Sequence, residues 1–147
     1  PNMGYKHVIP QLIQKIADAN TNNIDHITLI GTGNETRAFC YVLDVVNGLK
    51  ILMKSGADHE IYHIGNSDEE IKIIDLAKLI MNEIGQNLII KPGKNIHMGG
   101  TSRRCPDVNK ISLLGYKPEY NLNRGLKETV KWYINNIDNY KNKRTIE

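Results

Sequence analysis

Two stretches of the chain combine residue types suited to an anionic ligand. Residues 31–44, GTGNETRAFCYVLD, join a glycine-rich turn, one arginine, a short apolar run and an acid. The turn can bring backbone amides close to an anion, and Arg37 can neutralise one. Phe39, Tyr41 and Val42 read as a strand that fixes where the guanidinium points. Residues 99–107, GGTSRRCPD, have a similar make-up and carry Arg103, Arg104 and Asp107. A guanidinium fork matches two phosphate oxygens, so convergence of the two stretches would build a site for a phosphate-bearing ligand. Plainer roles exist for each residue. Arg37 suits a surface ion pair, Arg103 and Arg104 a solvated pair, and Asp107 and Asp44 helix caps.

Two other motifs fail on context. Residues 59–63, HEIYH, match HExxH, which holds zinc only on a helix, where residues four apart lie ~6 Å from each other. Ile61, Tyr62 and Ile64 instead predict a strand over residues 60–64, with the histidines ~13 Å apart, so no metal site is assigned. Gly31-Thr32-Gly33 echoes a dinucleotide fingerprint, but that turn must open a helix, and here a second strand is expected. A hairpin turn is the better reading. The acidic run Asp68-Glu69-Glu70 reads as a solvated face.

These residues need elements to position them, and 147 residues suffice for one domain with its own core. The predicted order is a helix over 7–19, a strand over 27–30, a strand over 38–42 and a helix over 45–54 capped by Asp44. A strand over 60–64, a helix over 73–84 stopped by Gly85, and a strand over 88–91 follow. Residues 95–106 read as a loop, 107–114 as a short helix, and 122–140 as a closing helix. Alternating strands and helices predict an α/β layer architecture. The excess of 19 basic over 16 acidic residues is too mild to indicate nucleic acid, and the basic cluster at 141–144 reads as a solvated tail. Cys40 and Cys105 form no CxxC pair and read as reduced thiols. No apolar run reaches the ~18 residues of a membrane span, so a soluble, cytoplasmic protein is expected. The first residue is Pro1, so the chain reads as processed at its start or as a piece of something longer.

Taken together, the motifs resemble those of the nucleotide-sugar epimerases and dehydratases, which are extended short-chain dehydrogenases/reductases. Residues 31–46 match that family's GdGxqtRdFxyVdDvv segment. PNMGYKHVIPQ at 1–11 is similar to the stretch after VYGP, and YHIGN at 62–66 to YniGn. Arg104-Cys-Pro-Asp107, with Lys110 and residues 114–118, is similar to RxpDxxKaxxlLGyxP. Residues 125–133 are similar to the closing GlxeTvxWy. One departure is Leu43-Asp44 where the family often has two acids.

The resemblance implies that Arg37 and Arg104 bind the diphosphate of a nucleotide sugar and that Asp107 helps hold the nucleoside. It implies that Thr28 to Ile30 lies against the base, and that the helix beginning at His7-Val8-Ile9 covers the nucleotide's other side. The family's GxxGxxG turn for NAD and its Tyr-x-x-x-Lys pair are missing from this sequence. Catalysis needs an NAD-bound hydride and a tyrosine acidified by that lysine, so no catalytic residue is assigned here. The implied fold is the substrate-binding part of an extended Rossmann-type enzyme, with segments that complete its parallel sheet. Residues 1–147 would form the carboxyl-terminal portion of a parent that uses NAD, forms a homodimer and resembles UDP-glucose 4-epimerase or dTDP-glucose 4,6-dehydratase. NAD would bind the parent and not this portion alone, which is expected to be inactive and marginally stable or self-associating. A stand-alone, non-catalytic nucleotide-binding module is the alternative.

Overall fold

The computed structural model describes residues 7–93 and 101–137. The elements are α1 (Val8–Thr21), β1 (His26–Thr28), β2 (Thr36–Ala38), α2 (Val42–Ser55), β3 (Glu70–Lys72), α3 (Ile73–Ile84), β4 (Ile89–Lys91), β5 (Arg103–Arg104), α4 (Asn109–Ser112) and α5 (Leu122–Asn136). None of these helices is long and apolar enough to cross a membrane.

Helical spacing of apolar residues explains the core. Leu12, Ile13 and Ile16 of α1, Leu76, Ala77 and Ile80 of α3, and Leu126 and Val130 of α5 are all buried and belong to one cluster. The three helices pack on one another, and Ile27 and Leu29 close the cluster from β1 and the residue after it. Full burial of each large aliphatic contributes about 1.5–3 kcal/mol. Asn121 caps α5 by accepting a 2.9 Å hydrogen bond from the Arg124 amide.

The strands form two small sheets. β1 pairs in parallel with β4, with Ile27 opposite Ile90. β2 is the centre of the second sheet, antiparallel to β3 and parallel to β5. Parallel pairing puts the chain in the α/β class expected from its alternating pattern.

Several expectations are corrected. The turn at 31–33 links two different sheets and is no hairpin. Residues 39–41 lie outside β2, and α2 begins at Val42, three residues early, because Tyr41 already has the extended backbone of a helix N-cap. Residues 60–64 pair with no described strand, and Ile61 is 81% exposed. β3 starts at the end of the acidic run, and β5 lies in the stretch that reads as a loop. The predicted end of the last helix at Tyr140, the tail at 141–144 and the glycines at 99–100 lie outside the described residues.

The route from β4 toward β5 passes very close to the end of β1. The Gly93 amide donates to the Gly31 carbonyl at 2.9 Å, and a Cβ on Gly93 would lie 2.1 Å from the Leu29 oxygen and 2.4 Å from that of Ile30. Backbone cannot yield there as a side chain could. Gly93→Ala is therefore expected to destabilise the protein by at least about 1–3 kcal/mol, as overpacking does. An unchanged urea midpoint for that variant would contradict this path of the chain.

Candidate functional site

The two-rung ladder between β2 and β5 brings Arg37 and Arg104 together. Thr36 is in register with Arg103, and Arg37 with Arg104. Register partners in a parallel pair project to the same face, on strands about 4.8 Å apart. The Thr36 amide extends the ladder, donating to the Ser102 carbonyl at 2.9 Å.

The two guanidinium groups differ in their surroundings. Arg37 is half-buried; its Nη1 donates to the Thr36 carbonyl at 2.6 Å and its Nη2 to the Thr101 carbonyl at 2.8 Å. These bonds hold the side chain still and use only part of its five-donor fork. Arg104 is exposed and, among the described residues, makes no hydrogen bond or ion pair. Two arginines in register on adjacent strands have the charge to meet a doubly anionic group such as a diphosphate. Arg103, by contrast, is no solvated partner of Arg104: it faces the other side of the sheet and pairs with Glu70 at 2.8 Å.

Asp107 follows three residues after Arg104 and is exposed. Its Oδ1 accepts from the Asn109 amide at 2.9 Å, an Asx turn leading into α4, so the capping role read from sequence is present in modified form. Thr28 and Ile30 lie at the end of the first sheet, both exposed, and the Thr28 carbonyl accepts from Lys15 Nζ at 2.6 Å. His7 is the N-cap of α1, while Val8 and Ile9 are partly buried against the core. Ile9 also lines an open groove of about 800 Å³ with Phe39, Tyr41, Tyr120 and Trp132. That groove is lined by neither arginine and is distinct from their ladder.

The glycine turn has an anion of its own. The Glu35 carboxylate accepts from the Gly33 amide at 2.9 Å, the Thr32 amide at 3.1 Å and the Thr32 hydroxyl at 3.2 Å. Gly33 has φ 86, in the left-handed region that glycine supplies without strain. The amides that drew attention as a possible ligand cradle are thus taken by a residue two to three positions on.

Asp44 is not a helix cap. It lies inside the first turn of α2, is 2% exposed, and accepts from the Glu119 amide at 2.9 Å and the Tyr120 amide at 3.1 Å. Buried carboxylates persist where such donors meet them, and this one fastens the approach to α5. Of the acidic run only Asp68 is exposed as a solvated face would be: Glu69 accepts from the Leu122 amide, and Glu70 from both the Thr36 hydroxyl and Arg103. Only their three-dimensional neighbours reveal these roles, since acids spaced so closely carry no helical or strand signal. His59 stands in a turn with φ 60, and 60–63 is not helical, so HExxH lacks the geometry that zinc requires.

Comparison with known proteins follows the same lines. In fold, the chain matches DesIV, a dTDP-glucose 4,6-dehydratase from Streptomyces venezuelae solved with NAD and TYD bound, with a TM-score of 0.76 and 26% identity. The match covers 92% of this chain and 41% of that one. The architecture is therefore part of an extended Rossmann-type short-chain dehydrogenase/reductase fold. In sequence, residues 1–65 match the NAD dependent epimerase/dehydratase family. Probable GDP-L-fucose synthase 1 of Oryza sativa subsp. japonica is 33% identical over 132 residues, 89% of this chain and 39% of its own length. A dTDP-D-glucose 4,6-dehydratase of Bos taurus is 33% identical over 118 residues, 76% of this chain and 33% of its own. The chain is a relative of the NAD-dependent nucleotide-sugar epimerases and dehydratases, and spans about two fifths of the length of the first curated relatives it matches.

Among the described residues, the turn at 31–33 does not have the form of a dinucleotide-binding turn. The turn at 31–33 leads into strand β2 and not into a helix, and its amides already hold Glu35.

The same turn has a pH signature. Hydrogen bonds from backbone amides, its own first and then those of Thr32 and Gly33, hold the Glu35 carboxyl below its ordinary 4.5. A carboxyl depressed in the folded state stabilises the fold above its unfolded pKa, and that contribution is lost as pH falls through the lower, folded value. Stability should therefore decline below about pH 4.5, and Glu35→Gln should flatten that decline in urea titrations run at successive pH values. An identical slope in wild type and variant would show that Glu35 gains nothing from the turn.

Proposed function

We propose that this chain is the substrate-binding, carboxyl-terminal part of an NAD-dependent nucleotide-sugar epimerase or dehydratase, in which Arg37 and Arg104 anchor the substrate diphosphate. The observation that supports this reading is the β2–β5 register, in which Arg37 and Arg104 are partners on adjacent strands. The names of the relatives support it, since they act on GDP- and dTDP-linked sugars. Asp107 would hold the nucleoside, Thr28 and Ile30 would lie against the base, and His7, Val8 and Ile9 would cover its far side. Binding energy gathered at the diphosphate would orient the sugar toward a remote catalytic centre. The enzyme would be UDP-glucose 4-epimerase-like or dTDP-glucose 4,6-dehydratase-like, with NAD and the catalytic tyrosine and lysine held by its amino-terminal half.

Exposed apolar surface supports the idea of a missing half. Val42, Val46, Leu49 and Met53 form a stripe along α2, with Met53 89% exposed, and Ile61 lies on a segment that pairs with no described strand. Such a surface on a soluble protein marks a place that another part covers. The core of α1, α3 and α5 favours the alternative, a stand-alone module that binds nucleotide sugars without catalysis.

Turnover of UDP- and dTDP-hexoses separates the two. The isolated chain should be inactive, and the same chain joined to its amino-terminal half should turn one of these substrates over. In that joined enzyme Arg37→Ala or Arg104→Ala should raise KM about 10- to 100-fold, since a charge-assisted contact contributes ~1.5–3 kcal/mol. No turnover in the joined enzyme would overturn the enzymatic reading. Tight calorimetric binding of a nucleotide sugar by the isolated chain would establish the module.

A further inference from the structure

The face of the second sheet opposite Arg37 and Arg104 carries a cross-strand device. Glu70 projects from β3, Thr36 from β2 and Arg103 from β5, all to that one face by the observed registers. Arg103 reaches Glu70 Oε2 with Nη2 at 2.8 Å and Nε at 3.0 Å, and the Thr36 hydroxyl donates to Glu70 Oε1. One carboxylate thus ties all three strands.

β5 needs such a tie. It is two residues long, both exposed, and its ladder with β2 has only two rungs. Among the described residues, the Glu70–Arg103 contact is the only ion pair that holds it. Arg104, the next residue after Arg103, takes its position beside Arg37 from that same pairing.

We propose that Glu70 is a positioning residue for the two-arginine anion site: by clamping Arg103 and Thr36 on one sheet face, it keeps β5 in register so that Arg104 stands beside Arg37 on the other. The proposal rests on the reading of those arginines as an anion site.

The sign of the effect distinguishes positioning from simple electrostatics. A carboxylate near an anion site repels the anion, so its removal by Coulomb's law alone would strengthen binding. Positioning demands the reverse. Inorganic pyrophosphate is the probe, titrated into wild type, Glu70→Gln, Glu70→Ala, Arg104→Ala and the charge-swapped pair Glu70→Arg/Arg103→Glu. Glu70→Gln and Glu70→Ala should weaken binding about tenfold. The Thr36 amide, bonded to the Ser102 carbonyl, should exchange its hydrogen faster in both variants. The swapped pair should recover most of the affinity, which a general loss of stability would not allow. Unchanged or tighter binding in Glu70→Gln, with wild type bound in an Arg104-dependent way, would overturn the positioning role alone. Wild-type binding that ignores Arg104→Ala would instead remove the anion site itself, and the proposal with it.

Discussion

The parallel pairing of β2 with β5 is the contact on which the site depends. Sixty-six residues of chain separate Arg37 from Arg104, and a two-rung ladder closes that distance. Closing so long a loop costs entropy that two backbone rungs offset poorly, so side chains from both faces help. On one face Arg37 reaches back to the Thr101 and Ser102 carbonyls, and on the other Glu70 holds Arg103. The arginine that would contact a ligand is thus also a fastener of the strand bearing its partner.

A second polar network fixes the ends of the helices around this sheet. Asp44, Asn66 and Glu69 all bond to backbone between residues 119 and 122. Tyr120, held in that way, stacks at 4.4 Å on Tyr41 and lies 4.0 Å beneath the Arg124 guanidinium. The start of α2, the turn before β3 and the start of α5 are therefore one unit. On the opposite side of α2 the apolar stripe has no such partner among the described residues, which gives the molecule a finished side and an open one.

Much of this was legible in the sequence, for reasons that differ by element. α3 was read to the residue because its apolar positions repeat at helical spacing and Gly85 ends it. Arg37, Arg104 and Asp107 are legible as residue types, and the ladder makes the two arginines register partners. Strand β5 was not legible. Two arginines in a polar stretch have neither hydrophobic alternation nor β-propensity, and only the neighbouring strand makes them a strand. Likewise Asp44 looked like a cap because an acid before an apolar run often is one, whereas distant amides at 119 and 120 claim it. The glycines at 31 and 33 looked like a ligand cradle because nothing local announces that Glu35 will turn back into it.

The proposed site requires Arg37 and Arg104 to take up a diphosphate together. Its most direct test is an NMR titration of the protein with inorganic pyrophosphate, observing the arginine Nε–H resonances. The account predicts that the Arg37 and Arg104 signals shift together along one isotherm, and that Arg104→Ala abolishes the shift at Arg37. Signals of the two arginines that respond at unrelated concentrations, or an Arg37 response that survives the loss of Arg104, would contradict it.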